Sequence, residues 1–583
     1  MTAIFLDGIN TFSTNVWEII IVGGAALLWG AWLHARVFQS GRPTDLPESM
    51  LYYLCMGILS LVILSWTGYF LQSFIPAFLF TPAIIIGLSG LILIDLTYLL
   101  RKFSSPNIFR TLFKKTLEFP GLFVLILVVL RLNAAGKWLY PPYIDSPVHY
   151  AIINNLVNPN SPVFPDVSMA GLFQHYYHFG FHTLISLWSM LVNIPVLKLM
   201  VFFPLLFSAL VPFPIYYFLR SLSLDKKTAL YGSILGGLGW GMPAYGINWG
   251  KYPAVLAVTL LPLALAAVID AIQNRDRKRI QTAVIIILGL ILLHSRIVVV
   301  IPVFILSVII QGKLKNEWLP IGGLILLAAL AVGLPIYTDD FDRYYTVSTW
   351  MVLLLSPLAL KTRPHTAFGM ILFSTLMVGL SQAPLLGNIY KYSSYLIDRP
   401  FLEICLYIPL TVIGGLGLEG LFVLGNSWKK PNLIVLPQGV FLIILLLNGF
   451  SPENYLPSPE TNFVTRDDIT LIEWISSNVD SSALIYIPGG SFGRYSVGVD
   501  AGIWLSPQTH VETSMVRHDY QWQRPKKFIS KRCADSTTDQ YVYIGSARYS
   551  FSARNLDDIS WFDGVMVLPK AKLYRIRCDM VGE

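Results

Sequence analysis

The sequence predicts a polytopic α-helical membrane protein that ends in a small α/β domain. Three observations carry that prediction. Mean hydropathy is +0.60 and only 13% of the 583 residues are charged, whereas soluble domains carry about a quarter. Long apolar runs recur, among them Gly121–Leu130 and Ala283–Leu293. After Gly449 the composition turns polar, starting with the Pro/Ser linker SPENYLPSPE at Ser451–Glu460.

A backbone in hydrocarbon must satisfy its own hydrogen bonds, and a helix needs about 20 apolar residues to cross. On run length, about fourteen spans are expected. They lie near 15–34, 51–70, 79–100, 118–134, 196–219, 228–246, 252–272, 281–295, 297–312, 318–336, 347–361, 367–382, 400–424 and 433–449. The first run, Val16–Leu33, lacks a basic segment before it, so it reads as a span and not as a cleavable signal.

Loop charges set the orientation. Basic clusters stand at Arg101, Lys102, Arg110, Lys114 and Lys115; at Arg220, Lys226 and Lys227; at Arg275, Arg277, Lys278 and Arg279; at Lys313 and Lys315; at Lys361 and Arg363; and at Lys429 and Lys430. The positive-inside bias puts all of them in the cytoplasm. Outside then fall 135–195, 247–251, the turn at Arg296, 337–346, 383–399 and everything after Gly449. This distribution accounts for the net charge of +8 and points to no nucleic-acid partner.

Crossing by the apolar segment Phe179–Val192 would invert every later basic loop. Phe181, Leu184, Ile185, Trp188, Leu191 and Val192 form one stripe, while His175, His178, His182, Ser186 and Ser189 line another face. Such a helix lies in the interface or packs on protein more readily than it spans. The region 135–195 is therefore read as one outer loop with two short amphipathic helices, His149–Val157 and Tyr176–Val192. NPNSPVFPD at Asn158–Asp166 links them.

Beyond the linker, Thr465-Arg466-Asp467-Asp468 reads as a capping box opening the helix ITLIEWISSNV. ALIYIP at Ala483–Pro488 and YVYIG at Tyr541–Gly545 read as strands. VMVL and KLYRIR, split by Pro569-Lys570-Ala571, read as a terminal hairpin. Cys55 and Cys405 fall in apolar segments as small core residues. For Cys533 and Cys578 a disulfide and two free thiols both fit.

The polar residues cluster at the expected outer face. WLYPPYIDSPVHY, starting at Trp138, sets Asp145 at the opening of a short helix, with His149 one turn later on the same face. A carboxylate at a membrane-surface cleft suits a general base for a hydroxyl acceptor; an Asp before Ser-Pro also suits a helix cap. Asp166 ends the link in the same loop. His175, His178 and His182, with Asp145 or Asp166, would suit a divalent metal, or would simply line a polar face. His294-Ser295-Arg296 interrupts an apolar stretch, where an ionised group is expensive unless paired or at an aqueous cavity. Arg296 and Arg399 would hold a lipid phosphate through charge-assisted bonds, or anchor helix ends. Asp339, Asp340 and Asp342 form a second acidic cluster, solvated or weakly metal-binding. No Walker A loop, dinucleotide fingerprint, HExxH or GxSxG occurs.

An acid after a span, a loop leading to the YHFGFH helix and a span ending in FLRSLSLDKK together resemble the GT-C superfamily of polytopic glycosyltransferases. HSRIVVV at His294–Val300 looks like an outer turn of bacterial and archaeal members, and DRPFLEICLYIPLTVIGGLGLEGL at Asp398–Leu421 like their late span. RDDITLIEWISSNV and VDAGIWLSPQTHVET resemble parts of their outer C-terminal domain. The resemblance covers 118–583. It implies a GT-C-like transmembrane core at 118–450 with its outer loop at 135–195, additional membrane helices at 1–117, and an extracytoplasmic α/β domain at 451–583.

The resemblance further implies an inverting transferase in the cell membrane. It would move a sugar from a polyprenyl-phosphate donor to an extracytoplasmic acceptor, a glycan, lipid or protein. Asp145 maps to the base and Arg399 or Arg296 to the phosphate-holding arginine; His294, His149, Asp166 and His178 are the further candidates for substrate binding. No D-x-D or D-E pair stands at Asp145, so a divalent metal stays open. The reading from a different class is a non-catalytic lipid-linked glycan carrier, transporter or envelope-assembly scaffold. Ionisable residues at the outer ends, not deep within spans, favour chemistry on a lipid head group over transport.

Overall fold

The structure, a computed structural model, describes residues 2–34, 46–72, 121–159, 163, 178–337, 347–382, 396–427, 439, 456–492, 495–520, 522, 526–535 and 538–581. Its helical part runs α1 (Thr2–Thr14), α2 (Val16–Leu33), α3 (Leu46–Gln72), α4 (Gly121–Ala135), α5 (Ser146–Val157), α6 (Gly180–Val192), α7 (Val196–Ser208), α8 (Pro212–Ser221), α9 (Lys226–Leu238), α10 (Tyr252–Asn274), α11 (Arg277–Leu293), α12 (Ile297–Lys313), α13 (Trp318–Tyr337), α14 (Val347–Thr362), α15 (Pro364–Ser381), α16 (Arg399–Cys405) and α17 (Tyr407–Ser427).

Among the described residues, seven helical segments are long and apolar enough to cross a membrane. They are Val16–Leu33, Glu48–Gln72, Val196–Ser221, Tyr252–Asn274, Trp318–Ile336, Pro364–Ser381 and Arg399–Gly425, and each falls on an expected span. Five other expected spans fall on the shorter helices α4, α9, α11, α12 and α14, of 13 to 17 residues. The spans expected near 79–100 and 433–449 lie outside the described residues, as does the acidic cluster Asp339, Asp340 and Asp342.

Burial separates the helices by role. In α10 every residue from Tyr252 to Ala266 is buried, which makes it the central post of the bundle. By contrast α13 exposes Ile321, Leu324, Ile325, Val332 and Ile336. A helix showing that much aliphatic surface suits lipid and not water. Helices α2 and α3 cross at backbone contact: a Cβ on Gly30 would lie 1.8 Å from the Tyr53 carbonyl oxygen, and one on Gly57 would lie 1.8 Å from that of Ala26. Small residues allow such crossings between membrane helices. Gly57→Leu is expected to cost about 2 kcal/mol by forcing the pair apart, read as a lower unfolding midpoint in detergent.

The polar stripe of α6 faces protein. His182, Thr183 and Ser186 are fully buried. Ser186 donates to the Tyr69 hydroxyl at 2.8 Å, Ser65 donates to Thr183 at 3.0 Å, and Ser189 donates to the Ile194 carbonyl at 2.8 Å. Of the two alternatives for this stripe, the structure has packing on protein: α6 is wedged between α3 and α5, and its hydroxyls find partners there.

The C-terminal region is a six-stranded mixed sheet with helices α18 (Arg466–Asn478), α19 (Leu505–Thr509) and α20 (Lys526–Asp535). Its strands are β1 (Leu484–Phe492), β2 (Tyr495–Gly498), β3 (Glu512–Arg517), β4 (Gln540–Ile544), β5 (Phe562–Val567) and β6 (Lys572–Ile576). β1 pairs in parallel with β3 and β4 and folds back on β2; β4 continues through β6 to β5. The expected capping box at Thr465 is present, as is the terminal hairpin β5–β6.

Alternation along the strands makes two cores. Ile485, Ile487, Tyr543 and Leu573 pack with Leu471, Ile475 and Trp504 on one face. Tyr486, Val542, Ile544 and Tyr574 pack with Trp522 and Trp561 on the other. Cys533 and Cys578 form a disulfide, with Cα atoms 5.3 Å apart, which ties α20 to the end of the sheet region. Of the two alternatives for that pair, the structure has the bridge; Cys55 and Cys405 are buried free thiols.

Candidate functional site

Two loops meet where the sheet region joins the bundle. The first leads from α4 into α5 and carries Asp145; the second, a 3-10 turn at Ala244–Trp249, leads into α10 and ends at Gly250-Lys251. Gly250 has φ +63, and a Cβ there would lie 3.0 Å from Ser146 Oγ and 3.4 Å from Asp145 Cβ. Only glycine combines that left-handed backbone with so close an approach.

Asp145 stands at the cap position of α5 yet makes no side-chain cap bond. Its carboxylate instead accepts from Lys251 Nζ at 2.5 Å. Both side chains are open to solvent, at 44% for Lys251 and 34% for Asp145, so the pair itself contributes at most about 1 kcal/mol to stability. The capping alternative is thereby set aside: the acid spends its charge across the cleft.

Neutral bonds hold the loops in register around that pair. Ser146 Oγ and the Tyr252 hydroxyl are 2.7 Å apart. The Tyr143 amide donates to the Thr461 carbonyl at 2.9 Å, and the Ser458 amide donates to Asn248 Oδ1 at 3.2 Å. One short segment at the end of the linker thus touches both loops. Above them Trp504 packs edge-on against Tyr140 and Tyr150, at 5.0 and 5.8 Å between ring centres. Trp504→Phe trims this clamp and is expected to loosen the sheet region by about 1 kcal/mol. Limited proteolysis near residue 456 should then run roughly five times faster.

Behind Asp145 lies a buried file of imidazoles. His149 Nδ1 is 2.8 Å from His182 Nε2, so one of the two rings carries the proton they share. Burial pushes His149 down to about 4, with Lys251 acting the same way against the opposing pull of Asp145 and of the Gly250 backbone. His149 is therefore a neutral ring at physiological pH. His178 lies against His294, at 4.0 Å between ring centres, and His294 stacks on Phe401 at 4.3 Å. His178 stands one turn before His182, so the file runs from His149 through His182 and His178 to His294.

Arg296 pairs with Asp398 at 3.2 Å, and Asp398 also caps α16 through the Phe401 amide. Arg399 points to Glu403, one turn on, at 2.8 Å. The structure thus gathers Asp145, His149, His178, His294 and Arg296 in one neighbourhood, with Arg399 at its edge. Asp166 and His175 lie outside the described residues. Among those residues no group of three or more His, Cys, Asp or Glu side chains is placed to hold a metal ion. Lys251, Ser146, Tyr252 and Asp398 are additions that pattern reading missed. The break NWGK between two apolar runs was the available sign of Lys251.

Fold and site together define a helical membrane protein whose polar cluster sits beneath a C-terminal sheet region. A family described as "Family of unknown function (DUF6541)" matches residues 116–380. No curated protein matches the sequence. Among solved structures, the chain is similar to the arabinofuranosyltransferase AftD from Mycobacteria, with 12% identity, a TM-score of 0.43, and coverage of 78% of this chain and 39% of that one. A mutant form of the same enzyme aligns at 12% identity and a TM-score of 0.35, over 68% of this chain and 36% of that one. The chain thus spans about two-fifths of the length of these structures. Likeness at this level assigns no activity.

Proposed function

We propose that the protein is a membrane glycosyltransferase that moves a sugar from a polyprenyl-phosphate donor to a hydroxyl acceptor. The observation that carries this reading is the Asp145 carboxylate. It is partly open to solvent, turned away from its own helix, paired with Lys251, and set one turn from a neutral imidazole whose file leads to His294, two residues before Arg296. Such a site offers a base and a cradle for an anion.

In the reaction Asp145 takes the proton of the acceptor hydroxyl as its oxygen attacks the anomeric carbon. The bond from that carbon to the phosphate oxygen breaks, and the lipid phosphate leaves with the electron pair. Arg296, and Arg399 once it releases Glu403, stabilise that charge. Attack from the face opposite the leaving group inverts the anomeric centre. His149, His178 and His294 back the site from behind Asp145, and Asp166 belongs to the same loop.

In this reading the sheet-bearing end is extracytoplasmic. The basic loops at Arg220–Lys227 and Arg275–Arg279 lie at the other ends of the helices, as the positive-inside bias asks. A disulfide at Cys533–Cys578 suits an oxidising compartment. The helices before 118 are additions, 118–450 is the catalytic core, and 451–583 is a lid that helps choose the acceptor.

The test is donor cleavage. Purified protein in nanodiscs is given a decaprenyl-phosphate pentose with a radiolabelled sugar, together with membrane glycan extract, and label leaving the lipid is followed. Steady release of decaprenyl phosphate supports the transferase. A donor that binds and stays intact would leave a carrier in its place.

A further inference from the structure

We propose that Lys251 is an exchangeable partner: it holds Asp145 until a lipid phosphate arrives, then pairs with the phosphate and leaves Asp145 free as a base. The role of Asp145 here rests on the transferase reading above; the exchange rests on the geometry of the two loops.

An ion pair this open is weak. An ammonium on a flexible stem turns readily, and phosphate is a strong partner for it. The loops do not need the pair to stay in place, since the Ser146–Tyr252, Tyr143–Thr461 and Ser458–Asn248 contacts already fix them. Only the Lys251 side chain has to move. Helices α5 and α10 begin at this point, at Ser146 and Tyr252, and helix N-termini attract negative charge.

The charges balance through the exchange. Lys251 and Asp145 together are neutral at rest. The donor phosphodiester brings one negative charge, and Lys251 neutralises it. Asp145 is left ionised next to an anion, where a carboxylate binds a proton more tightly. It is then better able to take the acceptor proton, and the lysine sits where the leaving phosphate gains its second charge. The base is armed only when the donor is seated.

The experiment measures binding, not turnover. Full-length protein in nanodiscs is titrated with decaprenyl phosphate, decaprenol and inorganic phosphate, and occupancy is read by native mass spectrometry. Wild type should bind decaprenyl phosphate about tenfold tighter than decaprenol, and Lys251→Met should lose about that factor. Asp145→Asn should bind it about threefold tighter, because no carboxylate competes for the ammonium. A pair with only a structural role would weaken binding in both variants. Lys251→Arg keeps the charge and should bind within about threefold of wild type, which separates lost charge from lost folding.

Selective binding by wild type with both variants moving together, or not moving, overturns the exchange and leaves the transferase reading standing. If wild type does not prefer decaprenyl phosphate to decaprenol, the lipid-phosphate reading of the whole site falls. Displacement of the lipid by micromolar inorganic phosphate would make the ligand a free phosphate and overturn the lipid assignment.

Discussion

In the proposed transferase, replacing Asp145 with Asn is expected to lower sugar transfer by at least about a hundredfold, because an amide cannot accept the proton that a general base removes. The loss should fall on kcat, since on that reading Lys251 and the arginines, not Asp145, hold the lipid phosphate. Folding should survive. Asp145 makes no cap bond for α5, its ion pair is half-exposed, and an Asn oxygen can still accept from Lys251. Unfolding midpoints of the two proteins should agree within a few degrees, as expected for a change of up to about 1 kcal/mol. The decisive measurement is release of decaprenyl phosphate under single-turnover conditions. Unchanged release by the Asn protein would remove Asp145 from the chemistry and shift attention to His149.

The second large effect concerns pH and the sheet region. Asp500 is fully buried and accepts from the Gly502 amide at 2.9 Å, the Ser550 hydroxyl at 2.7 Å and the Gly545 amide at 3.2 Å. Burial raises it from 3.8 to about 7; the nearby Asp468 adds to the rise and the three donors offset part of it. The unfolded chain gives up this proton near pH 4, while the folded chain keeps it to about 7. Ionisation between those limits therefore favours unfolding. The sheet region should be most stable below about pH 4 with respect to this group and should lose roughly 4 kcal/mol by pH 7. Denaturant titrations followed by tryptophan fluorescence at pH 5, 6, 7 and 8 would show the slope. Asp500→Asn has no proton to lose, so the slope should vanish, although its amide nitrogen cannot serve one of the backbone donors and the plateau should sit lower. An equal slope in the variant would place the pH dependence elsewhere. Asp468, bonded to the Tyr543 hydroxyl and also raised by burial, is the next candidate.

Hydropathy revealed the long helices because lipid imposes a single demand on length and polarity, and Val16–Leu33 or Trp318–Ile336 meets it without help from neighbours. The capping box at Thr465 was legible for a similar reason: all its partners lie within one turn. What escaped depended on pairs far apart in sequence. Lys251 is invisible as the partner of Asp145 until two loops 106 residues apart are brought together. The stripe of α6 had the right period, but periodicity tells that a face is polar and not what it meets; Tyr69 and Ser65 answer that only in three dimensions. The Arg399–Glu403 pair was within reach of pattern reading at i,i+4 spacing, and it matters because it occupies an arginine assigned to phosphate.

Ser458 and Thr461 touch both loops of the site, yet they are made after every membrane helix of the core. During synthesis the chain can insert and pack its bundle while Asp145 and Lys251 remain loosely placed. The Ser146–Tyr252 contact can form with the bundle, and the Ser458–Asn248 and Tyr143–Thr461 bonds complete the register of the two loops when the late segment arrives. On the proposed reading, competence would then be timed by biogenesis, with the site completed only once the chain beyond the bundle has been made.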